Sequence, residues 1–275
     1  MVSSISFITT CKGRLEHLVE TLPCLVAQPG TETILVDYDC PDRAADWTNL
    51  NFPAVKVVRV EQQPYFNAAR ARNRGAAAAT APWLCFVDAD TLVAPGFAET
   101  VLPVLDPGAY FQCVHGRHEL VGSVVLPRTV FEAIQGYDEV IEGWGAEDRD
   151  LYHRLERLGL RREELAPHLL DTIKHGAELR TRFHRVKDRM TVWVINRMYL
   201  EVKHGMQALI GQDAPTEVRS RIYREIEAEV LAARAAGRQP TFTLSEGWRP
   251  FVSKHEVERI LTVRMRPVPS SSGRS

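Results

Sequence analysis

The sequence predicts an α/β fold, a mostly parallel sheet flanked by helices, followed by a helical appendage at the C-terminal end. Three observations lead there. Short apolar runs alternate with helix-like segments over roughly the first two-thirds of the chain, the rhythm of β-α-β units. One of those runs, WLCFV at 83–87, is apolar throughout, as a strand covered on both faces must be. After residue 185 the strand signals give way to long helical stretches.

In order, SISFITT (3–9) reads as a strand and RLEHLVETLPCLVAQ (14–28) as a helix that Pro23 disturbs. ETILVDY (32–38) is an apolar strand with Asp37 near its end, and VKVVRV (55–60) is another. FNAARARNRGAAAAT (66–80) is rich in Ala and Arg and predicts a helix, with Gly75 its weak point. AYFQCVH (109–115) and GSVVLP (122–127) follow WLCFV as strands. Leu151, Leu155 and Leu158 repeat at four and three residues, one face of a helix. Segments 188–210 and 216–236 predict long helices, and FVSKHEVERIL (251–261) a further one. The expected domains are an α/β domain over 1–187, a helical extension over 188–265 and a disordered Pro/Ser/Gly-rich tail over 266–275.

Bulk properties narrow the function. The 275 residues are 45% hydrophobic and 25% charged with net charge −1, ordinary globular composition. Near-zero charge argues against a nucleic-acid binder held by bulk charge. No run of 18 apolar residues predicts a transmembrane helix, and the N-terminal segment reads as a strand rather than a signal peptide. The five cysteines are scattered with no CxxC pair, which points away from a zinc cluster or a disulfide framework and toward the reducing cytosol.

Two clusters carry chemistry. EGWGAEDRDL (142–151) holds four acids, two glycines and a tryptophan. Extended back one turn, the Leu151–Leu155–Leu158 stripe lands on Glu147 and Asp148, so two carboxylates face inward in a helix's first turn. Helix capping accounts for one such acid; two, beside Trp144 and Gly145, suggest a site. The second cluster is Asp88-Ala89-Asp90, directly after WLCFV. Ligands of open parallel sheets bind beyond the strands' carboxyl ends, and alternate residues of an extended chain share a side. Paired carboxylates there would share a proton or recruit a hard cation such as Mg²⁺ or Mn²⁺. Thr9, Thr10, Lys12 and Arg14 follow the first strand, and Asp37 follows the second, where an acid could accept the N–H of a pyrimidine base. No phosphate-binding glycine loop is present, so phosphate charge would be met by metal with Arg or Lys. Of Arg70, Arg72 and Arg74, at most one or two can face a ligand. His115 and His118 form a weaker candidate metal pair.

These motifs, in this order, make the chain resemble the β-1,4-galactosyltransferases and their bacterial relatives, inverting metal-dependent glycosyltransferases of the GT-A fold. FITTCKGRLEHL is similar to that family's first strand and nucleotide loop, and FNAARARNRG to its FNRAxxxNxG segment, which implies donor contacts from Phe66, Asn67 and Arg70. FVDADTLVAPG matches the DVD motif, with Asp90 in the metal-ligating position and Asp88 beside the donor. GYDEVIEGWGAEDRDLYHRLERLGL resembles WGWGGEDDDxxxRL, and TIKHGAELRTRFHR a following segment whose His, here His175, is a metal ligand. The resemblance implies Trp144 as a sugar platform, Glu147 as an acceptor-hydroxyl partner and Asp148 as catalytic base. It departs where Thr172 replaces a Met ligand, Ala146 a Gly and Arg149 an acid. The harder Thr172 would shift metal preference toward Mg²⁺.

The expected activity is therefore transfer of a hexose, of galactose or N-acetylhexosamine class, from a UDP-sugar to a hydroxyl of a glycan or glycoconjugate, with Mn²⁺ or Mg²⁺. A sugar-nucleotide nucleotidyltransferase and a non-catalytic carbohydrate binder are the alternatives. The first usually carries a Gly-rich loop where TTCKGR stands, and the second has no need of a metal-plus-base pair.

Overall fold

The computed structural model describes residues 4–113, 118–176, 178–248 and 257–266. Backbone contacts divide the chain into two compact units, Met1–Gly143 with Glu147–Arg185, and Trp144–Ala146 with Val186–Ser275.

The first unit is built on a seven-stranded sheet. In chain order its elements are β1 (Ile5–Cys11), α1 (Leu15–Val26), β2 (Thr31–Tyr38), α2 (Ala44–Asn51), β3 (Lys56–Val60), α3 (Ala68–Ala78), β4 (Trp83–Phe86), β5 (Thr91–Val93), α4 (Phe97–Val101), β6 (Ala109–Gln112), β7 (Val124–Pro127), α5 (Arg128–Ala133), α6 (Glu147–Arg157), β8 (Arg161–Glu164), β9 (Leu170–Thr172) and α7 (Glu178–Thr181). The sheet order is β3-β2-β1-β4-β7-β6-β8. β1 lies parallel to β2 and β4, β2 parallel to β3, and β6 parallel to β8. β7 runs antiparallel to both of its neighbours. β5 and β9 form a separate antiparallel pair that sets Thr91 opposite Thr172.

Every residue of β1 is buried, because helices cover both faces. Ile5 and Phe7 pack with Leu18, Leu22 and Leu25 of α1, while Ile8, Ile34, Leu84 and Phe86 share a core with Ala69, Leu151 and Leu155. Gly75 is a requirement of that packing rather than a weak point. A Cβ there would sit 2.4 Å from Ile8 Cγ2 and 3.0 Å from Val36 Cγ2, so only glycine lets α3 come this close to the sheet. α1 runs on through Pro23. Leu158 corrects the predicted stripe: α6 ends at Arg157, Gly159 turns the chain at φ +91°, and Leu158 is 55% exposed.

The second unit contains α8 (Arg189–Ile210), α9 (Thr216–Ala235) and a hairpin of β10 (Thr241–Trp248) with β11 (Val257–Arg264). The hairpin corrects the expectation of helix alone over 188–265. TFTL alternates with period two, and the register sets Phe242 opposite Val263 and Leu244 opposite Leu261. The β-branched and aromatic residues that favour a pleated surface outweigh the helical reading of 257–261. Residues 251–256 of that expected helix and 267–275 of the expected tail lie outside the described residues. No helix among the described residues is long and apolar enough to cross a membrane.

Candidate active site

The ends of β1 and β4 meet at an acid–imidazole pair. Asp90 follows β4, and the loop beyond β9 carries His175. Ile173 N–H donates to Asp90 O at 2.8 Å, which ties the two segments together. His175 Nε2 lies 2.6 Å from Asp90 Oδ2. The Arg14 guanidinium, beyond β1, approaches both, with Nη1 3.3 Å from Asp90 Oδ2 and 3.0 Å from His175 Nε2, and it also donates to Leu179 O. His17, one turn into α1, sets its buried ring 5.3 Å from that of His175. Burial, then the Arg14 charge, lower the pKa of His17. Among the described residues no three His, Cys, Asp or Glu side chains form a complete metal cage. Asp90 with His175 supplies one carboxylate oxygen and one imidazole nitrogen, a donor set suited to Mn²⁺ or Mg²⁺ when substrate oxygens complete it.

A second cluster surrounds Arg72 of α3. Its Nη1 donates to Glu147 Oε1 (3.1 Å) and Asp148 Oδ1 (2.9 Å), and its Nη2 to Asp88 Oδ1 (2.8 Å). The side chain is 5% exposed and lies on the Tyr137 ring, 5.3 Å from the centroid. Asp88 and Asp90 therefore do not share one cation: each has its own arginine. Gly122 makes the space, since a Cβ there would stand 2.9 Å from Arg72 Nη2, 3.2 Å from Asp88 Oδ2 and 3.5 Å from Asp148 Oδ2. Burial, then the Glu147 charge, push the pKa of Asp148 up to about 8 against the pull of Arg72. Glu147 Oε2 is buried and has no hydrogen-bond partner, an acceptor left unsatisfied.

Several residues expected to bind a donor make hydrogen bonds or ring contacts within the chain. Lys12 spends its ammonium on three backbone carbonyls, of Tyr38, Asp39 and Gln63, at 2.7–3.2 Å. Asp37 accepts the amides of Cys40 and Ala45, holding the β2–α2 turn. Asn67 caps α3 through Arg70 N–H and donates to Glu139 O and Ile141 O. Arg70 pairs with Glu139 and Gln63, so Arg72, and not Arg70, is the arginine of this helix that faces the carboxylates. Phe66 meets Tyr38 edge-on and stacks on His184. Thr10 is buried, and so is Thr9, whose Oγ1 has no hydrogen-bond partner. His115 lies outside the described residues, as does the side chain of His118. The sequence carries no signal that separates Arg72 from Arg70 and Arg74, because only packing decides which of them points inward.

In the second unit, the Trp144–Gly145 turn is held from α8. Asn196 Nδ2 donates to Gly145 O at 2.7 Å and comes within 3.5 Å of Trp144 O. The Arg189 guanidinium lies 4.1 Å from the centre of the Trp144 ring. Gly143, Gly145 and Ala146 have φ of +76°, +82° and +86°.

Comparison with known proteins bears on the fold. Residues 6–140 match the glycosyl transferase family 2 model, and residues 109–179 match a model described as the N-terminal domain of galactosyltransferase. No curated protein matches the chain by sequence. Among solved structures, a mannosyltransferase from Pyrobaculum calidifontis in complex with GDP-Man and Mn²⁺ is 18% identical over 86% of this chain and 76% of that one, with a TM-score of 0.55. Residues 1–349 of S. aureus TarS, in complex with UDP-GlcNAc, are 15% identical over 86% of this chain and 73% of that fragment, with a TM-score of 0.57. A mutant Drosophila β-1,4-galactosyltransferase 7 in complex with manganese, UDP-Gal and xylobiose is 14% identical over 69% and 78%, with a TM-score of 0.50. The two overlapping family matches run together from residue 6 to residue 179, and the chain has the GT-A glycosyltransferase fold and is galactosyltransferase-like in sequence.

Proposed function

We propose that the protein is a metal-dependent, inverting glycosyltransferase that moves a hexose, of galactose or N-acetylhexosamine class, from a UDP-sugar to a hydroxyl of a glycan or glycoconjugate in the cytosol. Residues 1–187 carry the chemistry. The observation that carries the reading is the Asp148 carboxyl at the head of α6, clamped at Oδ1 by Arg72 with a raised proton affinity. Oδ2 is then the oxygen that takes the acceptor proton. The acceptor oxygen bonds to the anomeric carbon on the face opposite the diphosphate, the bond to the diphosphate breaks, and the proton passes to Asp148. Glu147 Oε2, buried and unpartnered, accepts a hydrogen bond from a second acceptor hydroxyl, and Trp144 offers an aromatic face to the sugar ring. Asp90 and His175 would hold the divalent ion, with Thr172 adjacent through β9. When bound, such an ion neutralises charge on the diphosphate leaving group.

The test is a panel of UDP-sugars against p-nitrophenyl glycoside acceptors, with and without Mn²⁺, reading product configuration by NMR. Inverted product formed only with metal is expected. Retained configuration, or full turnover after chelation, would overturn the reading.

A further inference from the structure

We infer that Asn196, oriented by Tyr223, is a positioning residue for acceptor binding, so that α8 and α9 set how well the Trp144 platform is presented. The inference rests on the reading of Trp144 as that platform.

The turn cannot hold its own shape. Three of the four residues 143–146 have φ between +76° and +86°. Two are glycines, which adopt this region freely, but Ala146 is not, and an L-residue there is strained. Strained backbone of this kind persists only where its surroundings over-determine it. Asn196 meets that need. It is 1% exposed, so water cannot stand in for the bond it makes to Gly145 O. Its own amide is fixed from the other side, where Tyr223 O–H donates to Asn196 Oδ1 at 2.7 Å. With Oδ1 engaged, Nδ2 must face the turn. Tyr223 is buried in turn and lies edge-on to Tyr199 at 5.3 Å. The chain Tyr199–Tyr223–Asn196–Gly145 thus runs from both long helices to the peptide beside Trp144. Helix packing by itself asks for an apolar residue at 196. A buried amide aimed at a loop carbonyl is a polar solution to a different problem.

The test compares Asn196→Asp, which keeps size but loses the donor, with Tyr223→Phe, which frees the amide to rotate, and with Trp144→Ala. The readouts are KM for the fastest p-nitrophenyl glycoside acceptor, KM for the UDP-sugar donor, and amide hydrogen exchange over residues 143–147. Loss of one buried hydrogen bond corresponds to about tenfold. We expect acceptor KM to rise by about that factor in Asn196→Asp and by less in Tyr223→Phe, with faster exchange at 143–147, while donor KM and exchange over 5–14 hold. Should Asn196→Asp fail to fold, Tyr223→Phe carries the same expectation. If Trp144→Ala raises acceptor KM but neither partner variant does, the positioning role is wrong. If both KM values and exchange everywhere rise together, Asn196 is merely structural and the inference fails. An unchanged acceptor KM in Trp144→Ala would instead remove the platform itself.

Discussion

Asp148 should set activity and stability against each other as pH changes. Its carboxyl is raised in the fold to about 8, from an ordinary value of about 3.9. The folded state therefore favours the protonated form. That contribution to stability is complete below about pH 4 and is lost as pH rises through about 8. A general base needs the other form, so kcat should climb over the window in which this stability is lost. Paired pH profiles of kcat and Tm check the opposition. Asp148→Asn, which never ionises, should flatten this component of the Tm profile and lower kcat by ~10²–10⁴. Arg72 is the other residue on which the site turns. Arg72→Ala leaves three carboxylates without their shared cation, and urea unfolding should report a loss of roughly 3–5 kcal/mol. Arg72→Lys should fold better yet stay slow, because an ammonium cannot reproduce the fork. Asp90, His175, Glu147 and Asp148 were singled out by the sequence because each stands at a fixed place in a motif, and the fold sets them in two clusters around Arg14 and Arg72. Arg72 was not, since ARARNRG offers three arginines and the room for one of them is made by distant Gly122. Lys12, Asp37 and Asn67 pose a related difficulty, since each makes hydrogen bonds to the chain's own backbone. A polar residue at a strand end can serve a ligand or its own loop, and only its hydrogen-bond partners decide.

Among the elements, α3 gives the sharpest test. Alanine is the better helix former by about 1 kcal/mol, yet Gly75→Ala should destabilise by about 1–3 kcal/mol through overpacking. Its methyl would meet Ile8 of β1 and Val36 of β2. A chemical-denaturation midpoint that rises in Gly75→Ala would contradict the packing described for this face. The same contrast explains which elements the sequence announced. β1, β2 and β4 are buried, apolar and short, and their signal is strong. β8 reads RREE and is exposed at every position, an edge strand with charged side chains and no apolar pattern to find. The β10–β11 hairpin was missed because its register pairs residues from segments that, read singly, resemble a loop and a helix.

For the molecule as a whole, metal removal should abolish transfer without unfolding the protein. Asp90 and His175 already share the Arg14 guanidinium, so no carboxylate is left uncompensated when a cation departs. With EDTA, turnover should vanish while Tm moves by no more than about 2–4 °C, the shift of a 1 kcal/mol change in a domain of this size. A collapse in Tm would mean that the ion is structural. Thr172→Met should tilt the preference from Mg²⁺ toward Mn²⁺, read as the ratio of kcat/KM with the two ions.

The strand order also has a consequence in time. β1 to β4 come from residues 5–86 and assemble through successive parallel crossovers, whereas β7 joins β4 only after residue 124 has been made. As the chain leaves the ribosome, the half bearing Arg14 and Arg72 can condense before Asp148 exists. Arg72 would then wait, paired with Asp88 but without Glu147 and Asp148, until α6 docks. Pulse-labelled exchange during refolding should find β1 and β2 protected ahead of β6 and β8, and simultaneous protection would show that the sheet closes in one step.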